Sequence, residues 1–132
     1  MNTTLQKKLF ESFPKLYRET KLPTTKSCMG WGITCDDGWF QLIWNLSEKL
    51  EAEIKKNAPK ACAIQVKEKL GTLRFYLRNA TEKMQEYAGE AEAASTCLCE
   101  RCGKAGTLKQ ERFPGWWHVS CNDCEQVRHK AK

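Results

Sequence analysis

The chain has 132 residues, enough for one domain with a modest core or for one domain plus a small appendage. With 41% hydrophobic and 29% charged residues its composition is that of a soluble globular protein rather than a disordered one. The formal net charge of +6 permits contact with nucleic acid or with an acidic protein, and compels neither.

The stretch from Met1 to Phe10 has no apolar h-region and no small-residue cleavage site, so no signal peptide is expected. No run approaches the roughly 18 apolar residues that a membrane span requires. The expected location is therefore the cytoplasm, where thiols stay reduced. Eight cysteines would also suit a secreted scaffold with four disulfides, but that reading lacks an export signal.

Residues 3–13 read as a short helix capped by Thr3 or Thr4, with Leu5, Leu9, Phe10 and Phe13 at helical spacing. Residues 1–26 carry six Lys or Arg against two Glu, which reads as the solvated face of a docking helix or as a basic arm. Residues 23–38 read as an irregular loop, marked by Pro23, Gly30, Gly32 and Gly38. Met29, Trp31 and Ile33 make that loop apolar enough to pack down. Asp36 or Asp37 is expected to cap a long helix near 38–56. Its apolar face is Trp39, Phe40, Leu42, Ile43, Leu46, Leu50 and Ile54. Lys55 and Lys56 suit its C-terminal dipole.

Residues 61–68 alternate, with Cys62, Ile64 and Val66 on one face and Gln65 and Lys67 on the other. Lys69-Leu70-Gly71 supplies a turn, and Thr72 to Leu77 returns, so the pair reads as a β-hairpin. Residues 61–80 have a charge balance of +3 from Lys67, Lys69, Arg74 and Arg78 against Glu68. Such a face, flanked by aromatic residues, can bind a phosphate backbone; a solvated sheet face is the plainer alternative. Residues 80–98 read as a further helix capped by Asn79 or Thr81. Its buried stripe is Met84, Tyr87, Ala88, Ala91 and Ala94, and its exposed face carries Glu82, Glu86, Glu90 and Glu92.

That helix runs into Cys99-Glu100-Arg101-Cys102-Gly103, and a second pair follows at Cys121-Asn122-Asp123-Cys124. Eighteen residues separate the pairs, which is the spacing of a four-thiolate zinc site. The expected ligands of one structural Zn2+ are Cys99, Cys102, Cys121 and Cys124, with no coordination position left open. Holding one dication on four thiolates takes two units off the formal charge and leaves about +4. Between the pairs, Thr107 to Arg112 and Trp116 to Val119 read as strands joined by a turn at Phe113-Pro114-Gly115. The tail from Glu125 to Lys132 favours helix. The expected domains are thus an α+β unit over 1–98, in which the hairpin packs with about three helices, and a rigidly attached zinc module over 99–132.

The order of knuckle, hairpin and a Cys pair opening a helix resembles the treble-clef zinc fingers. Cys99-x-x-Cys102-Gly103 and Cys121-Asn122-Asp123-Cys124 are similar to the GATA-type finger in particular. The resemblance covers residues 99–132 and implies a closed tetrahedral site and, for GATA-type fingers, DNA binding. Only eight residues follow Cys124, too few for a long reading helix with a basic tail. A plain zinc ribbon is the alternative fold for the module.

Other chemistry is thinly represented. His118 and His129 are the only histidines, so the paired histidines of a nuclease grafted on a treble clef are missing. His118 reads as a strand residue, with ligand status as the alternative. Cys97 lies beside the site, and Cys28, Cys35 and Cys62 are scattered and read as core thiols. A second metal site from Cys28, Cys35, Cys62 and Cys97 is formally open. One of Trp116 and Trp117 should face outward if their segment is a strand, as a contact for a protein or for a stacked base.

A wider set of residues carries a second resemblance. Asp36-Asp37-Gly38-Trp39, then Gln65 through Tyr76, then the two Cys pairs, together resemble a group of small uncharacterised bacteriophage and prophage proteins over residues 28–126. That implies an accessory role in the cytoplasm of a bacterial host cell, with inhibition of a host defence system among the roles it opens. The expected function is a non-enzymatic, zinc-stabilised protein that binds a host protein. Nucleic-acid binding through Lys67, Lys69, Arg74 and Arg78 is the alternative, and Trp116 and Trp117 serve either reading.

Overall fold

The computed structural model describes residues 1–110 and 116–130; the expected Phe113-Pro114-Gly115 turn and the end of the preceding strand lie outside them. The chain is α+β, with four helices and two small sheets among the described residues. Helix α1 spans Thr3–Ser12, and its cap is Asn2 rather than Thr3 or Thr4: the Leu5 N–H donates to Asn2 Oδ1 at 2.9 Å. The segment read as irregular contains two 3₁₀ turns, at Cys28–Trp31 and Asp37–Trp39, and a two-residue strand β1, Ile33–Thr34.

Helix α2 spans Phe40–Lys56 and buries Ile43, Leu46, Leu50 and Ile54. Neither Asp36 nor Asp37 caps it with a side chain. The Asp37 carboxylate instead accepts the Asn2 backbone N–H at 2.7 Å and the Asn2 side-chain amide at 2.9 Å. A charged residue on α2 is unexpectedly buried. Glu51 accepts the N–H groups of Lys15 and Leu16 at 3.1 and 2.8 Å, which holds the segment after α1 against α2. Two backbone donors would otherwise be unmet, at a cost of about 1–3 kcal/mol each.

Strands β2 (Cys62–Lys69) and β3 (Thr72–Arg78) form the expected hairpin. Its two-residue turn places Leu70 and Gly71 at φ of 54° and 84°, the left-handed pair that suits strand twist. The register shifts between Ala63 and Gln65. Ile64 is therefore a bulge, and the simple alternation read from Cys62, Ile64 and Val66 fails there. Ala63 and Val66 enter the core, and Ile64 is only half-buried. Strand β1 pairs parallel to β2, Ile33 with Val66 and Thr34 with Lys67.

Helix α3 spans Glu82–Ser95, capped by Thr81, whose Oγ1 accepts the Met84 N–H. Met84, Ala88, Ala91 and Ser95 face inward; Ala94 is exposed, contrary to its expected place in the stripe. Glu92 is not on the exposed face either. Its carboxylate accepts the Phe75 N–H at 3.3 Å, and Ser95 Oγ accepts the Leu73 N–H at 2.9 Å. So α3 satisfies the outer edge of β3. Leu9, Ile33, Trp39, Ile43, Leu50, Val66, Leu73, Phe75 and Met84 belong to one core shared by the three helices and the inner sheet face. Each large apolar side chain buried there contributes about 1.5–3 kcal/mol. No described helix is long and apolar enough to cross a membrane.

The C-terminal part has strands β4 (Thr107–Gln110) and β5 (Trp117–Ser120), paired antiparallel, then helix α4 (Asn122–Lys130).

Candidate metal centre

Four sulfurs converge at the C-terminal module. The knuckle that carries Cys99 and Cys102 is closed by backbone bonds: Cys99 N–H to the Lys104 carbonyl and Gly103 N–H to the Cys99 carbonyl, both 2.8 Å. Gly103 has φ of 82°, a conformation that favours glycine, and this is what the tight bend needs. Cys121 stands just before α4 and Cys124 in its first turn, so the helix start turns both sulfurs to the knuckle.

The sulfurs of Cys99, Cys102, Cys121 and Cys124 all lie within 4.8 Å of one another, and those of Cys102 and Cys121 are 3.6 Å apart. Metal–sulfur bonds of about 2.3 Å in a tetrahedron place sulfurs about 3.8 Å apart, so the group fits one ion. A disulfide needs about 2.05 Å, and all eight cysteines are free. The Cys124 N–H donates to Cys121 Sγ at 3.4 Å and draws the Cys121 thiol down to about 7. Burial, then the neighbouring sulfurs, push Cys124 up to about 12. Four sulfurs this close repel as anions, and a bound cation is what lets all four ionise together.

The module is locked to the α+β body at the start of α2. The Gly38 N–H donates to the Glu100 carbonyl at 2.7 Å, and the Asp36 N–H to the Glu100 carboxylate at 2.9 Å. Trp39 Nε1 donates to the Leu98 carbonyl at 2.9 Å. Burial, then the Asp36 carboxylate, raise the Glu100 carboxyl to about 7, although the Asp36 N–H works against them. At Gly38 a Cβ would fall well inside van der Waals contact with the Cys99 and Glu100 carbonyl oxygens. Those are backbone atoms and cannot turn aside. Gly38→Ala is therefore expected to lose about 1–3 kcal/mol in chemical denaturation. A loss under about 0.5 kcal/mol, the range of an ordinary surface change, would show that the contact gives way.

The remaining residues named from sequence are placed as follows. His118 is buried, and its Nε2 lies 2.8 Å from Glu125 Oε2. It stands outside the four-sulfur group, with Nδ1 buried and without a hydrogen-bond partner among the described residues. No second metal-ligating group forms among the described residues, so Cys28, Cys35, Cys62 and Cys97 make none. Cys62 instead donates from Sγ to Glu19 at 3.3 Å.

Lys67 and Arg74 sit directly opposite each other, and Lys69 faces Thr72. Arg78 differs, because its Nε donates to Glu19 Oε2 at 3.1 Å. Burial would raise the Glu19 carboxyl, but bonds from Ser27, Arg78 and Cys62 outweigh it and hold it below the usual range. Trp117 is half-buried, whereas Trp116 is 50% exposed. Trp116 stands at a cleft of about 970 Å3 between the N-terminal segment, β1, the knuckle and β5. Asp36, Asp37, Glu68 and Glu100 line it, with Arg101 as a cationic side chain among them. Sequence reasoning missed this cleft, since its walls come from five distant segments: residues 1–2, 33–37, 68, 100–101 and 116–124.

Comparison with known proteins finds no matching family model, no matching curated protein and no matching solved structure.

Proposed function

We propose that the chain is a non-enzymatic interaction protein whose C-terminal module is held by one structural Zn2+ and which binds a partner protein at the Trp116 cleft. The metal reading rests on the donor set: four cysteine sulfurs at tetrahedral spacing suit zinc, and four protein ligands leave no position for substrate. The order of knuckle, two-stranded sheet and helix carrying the second Cys pair supports a treble clef over a plain ribbon.

The observation that carries the binding role is Trp116 itself. A tryptophan that is 50% exposed, in a cleft also lined by Asp36, Asp37, Glu68 and Glu100, offers an apolar anchor with acidic side chains in the same cleft. The fitting partner presents lysine or arginine next to an apolar side chain. The resemblance to small phage proteins supports a bacterial host protein as that partner, with the blocking of a defence complex among the roles it opens.

The test is retention of bacterial proteins by the tagged full chain, with Trp116→Ala in parallel. The expected result is a specific partner whose affinity falls about 30-fold in the variant, as for a central aromatic anchor. Zinc content and melting temperature should not change. An empty capture, or capture indifferent to Trp116→Ala, would refute the reading.

A further inference from the structure

The outer face of the three-stranded sheet carries charge that no ion pair among the described residues neutralises. Thr34, Lys67 and Arg74 form one row across β1, β2 and β3. The neighbouring rows are Gln65 with Tyr76, and Lys69 with Thr72. Side chains alternate across a strand, so these residues share the face opposite Val66, Leu73 and Phe75. The row sets two cations directly opposite each other, which costs stability unless an anion joins them.

The contrast along β3 is sharp. Arg74 and Arg78 are four residues apart on one face. Arg78 has the Glu19 carboxylate on its Nε, whereas Arg74 has its Nε buried with no hydrogen-bond partner among the described residues. Buried guanidinium N–H groups are ordinarily met. Lys67, Lys69 and Arg74 make no ion pair among the described residues. Tyr76, 39% exposed, lies beside them.

We infer that this face binds single-stranded nucleic acid, with phosphates on Lys67, Lys69 and Arg74 and a base stacked on Tyr76. A sheet face that joins cations to an exposed aromatic ring fits a strand whose bases are unstacked; a duplex hides the base faces Tyr76 would use. Arg78 takes no part, because Glu19 holds it. Lys67, Lys69, Arg74 and Tyr76 do not line the Trp116 cleft, so either reading can fail alone.

The test uses the zinc-loaded full chain and fluorescence anisotropy with labelled dT15 and rU15, from about 20 to 200 mM salt. Affinity is expected to fall with salt. Arg74→Ala and Lys69→Ala should each flatten the log–log slope by about 0.7. Tyr76→Ala should weaken binding about 5- to 100-fold. Arg78→Gln and Trp116→Ala should leave it unchanged. Lys69 is exposed, so its variant stays informative if Arg74→Ala folds poorly. No binding at the lowest salt, equal binding of a duplex, or equal binding of a poly-glutamate peptide of matched charge would each overturn the inference.

Discussion

Cys121→Ser, or a strong chelator acting on the native chain, is expected to abolish the order of the C-terminal module and lower the stability of the whole protein by several kcal/mol. Structural zinc sites have apparent binding energies of about 10–16 kcal/mol near neutral pH, and binding is folding in such modules. The module's sheet has only two strands among the described residues, with four described residues in each of β4 and β5, and a two-stranded sheet is marginal alone. The effect should reach the body, because Leu98 and Glu100 accept bonds from Trp39, Gly38 and Asp36. Metal analysis of protein purified without chelator should give one equivalent of zinc. Near-ultraviolet dichroism and thermal melts should both shift on chelation. Acid should act in the same direction, since protons compete with the metal for thiolate. Less than about half an equivalent, with melts indifferent to chelator, would refute the site.

Trp39→Ala should cost about 3–5 kcal/mol, the range for deleting a fully buried aromatic side chain. Trp39 is fully buried and is among the largest side chains in the core. It also reaches out of that core, through Nε1, to the carbonyl that precedes Cys99, the first cysteine of the four-sulfur group. Trp39→Phe separates the two contributions. It keeps most of the apolar burial and leaves the Leu98 carbonyl short of a donor, for an expected loss of about 1–3 kcal/mol. Zinc should leave that variant faster than wild type in a competition with a chromophoric chelator. Equal release rates would show that Trp39 supports the core alone.

Local pattern made much of the fold legible. The spacing of Ile43, Leu46, Leu50 and Ile54 marks one helical face, and the structure buries all four. The residues on either side of Leu70-Gly71 mark a hairpin, and the strands pair there. Two Cys pairs at zinc-site spacing mark a cluster, and the sulfurs meet.

Choices made between distant segments were not legible. Glu51 sits on a helix face that periodicity alone would leave open, and two N–H groups 35 and 36 residues away decide its burial. Asp37 had a local role to play at α2, but Asn2 took its carboxylate. The bulge at Ile64 breaks an alternation that looks regular in one dimension. Gly38 reads as a loop glycine until Glu100 lies against it. Arg74 and Arg78 look equivalent, and only Glu19 separates them.

The covering of β3 by Glu92 and Ser95 limits how anything can join this protein. A strand edge recruits an extended peptide, or a second copy, through its free N–H and C=O groups. On the β3 side α3 already occupies donors at Leu73 and Phe75. On the opposite side the sheet ends in a strand of only two residues, Ile33–Thr34. The β3 edge is therefore guarded against edge-to-edge aggregation at Leu73 and Phe75, and a ligand that meets the sheet there must be taken by side chains rather than by backbone.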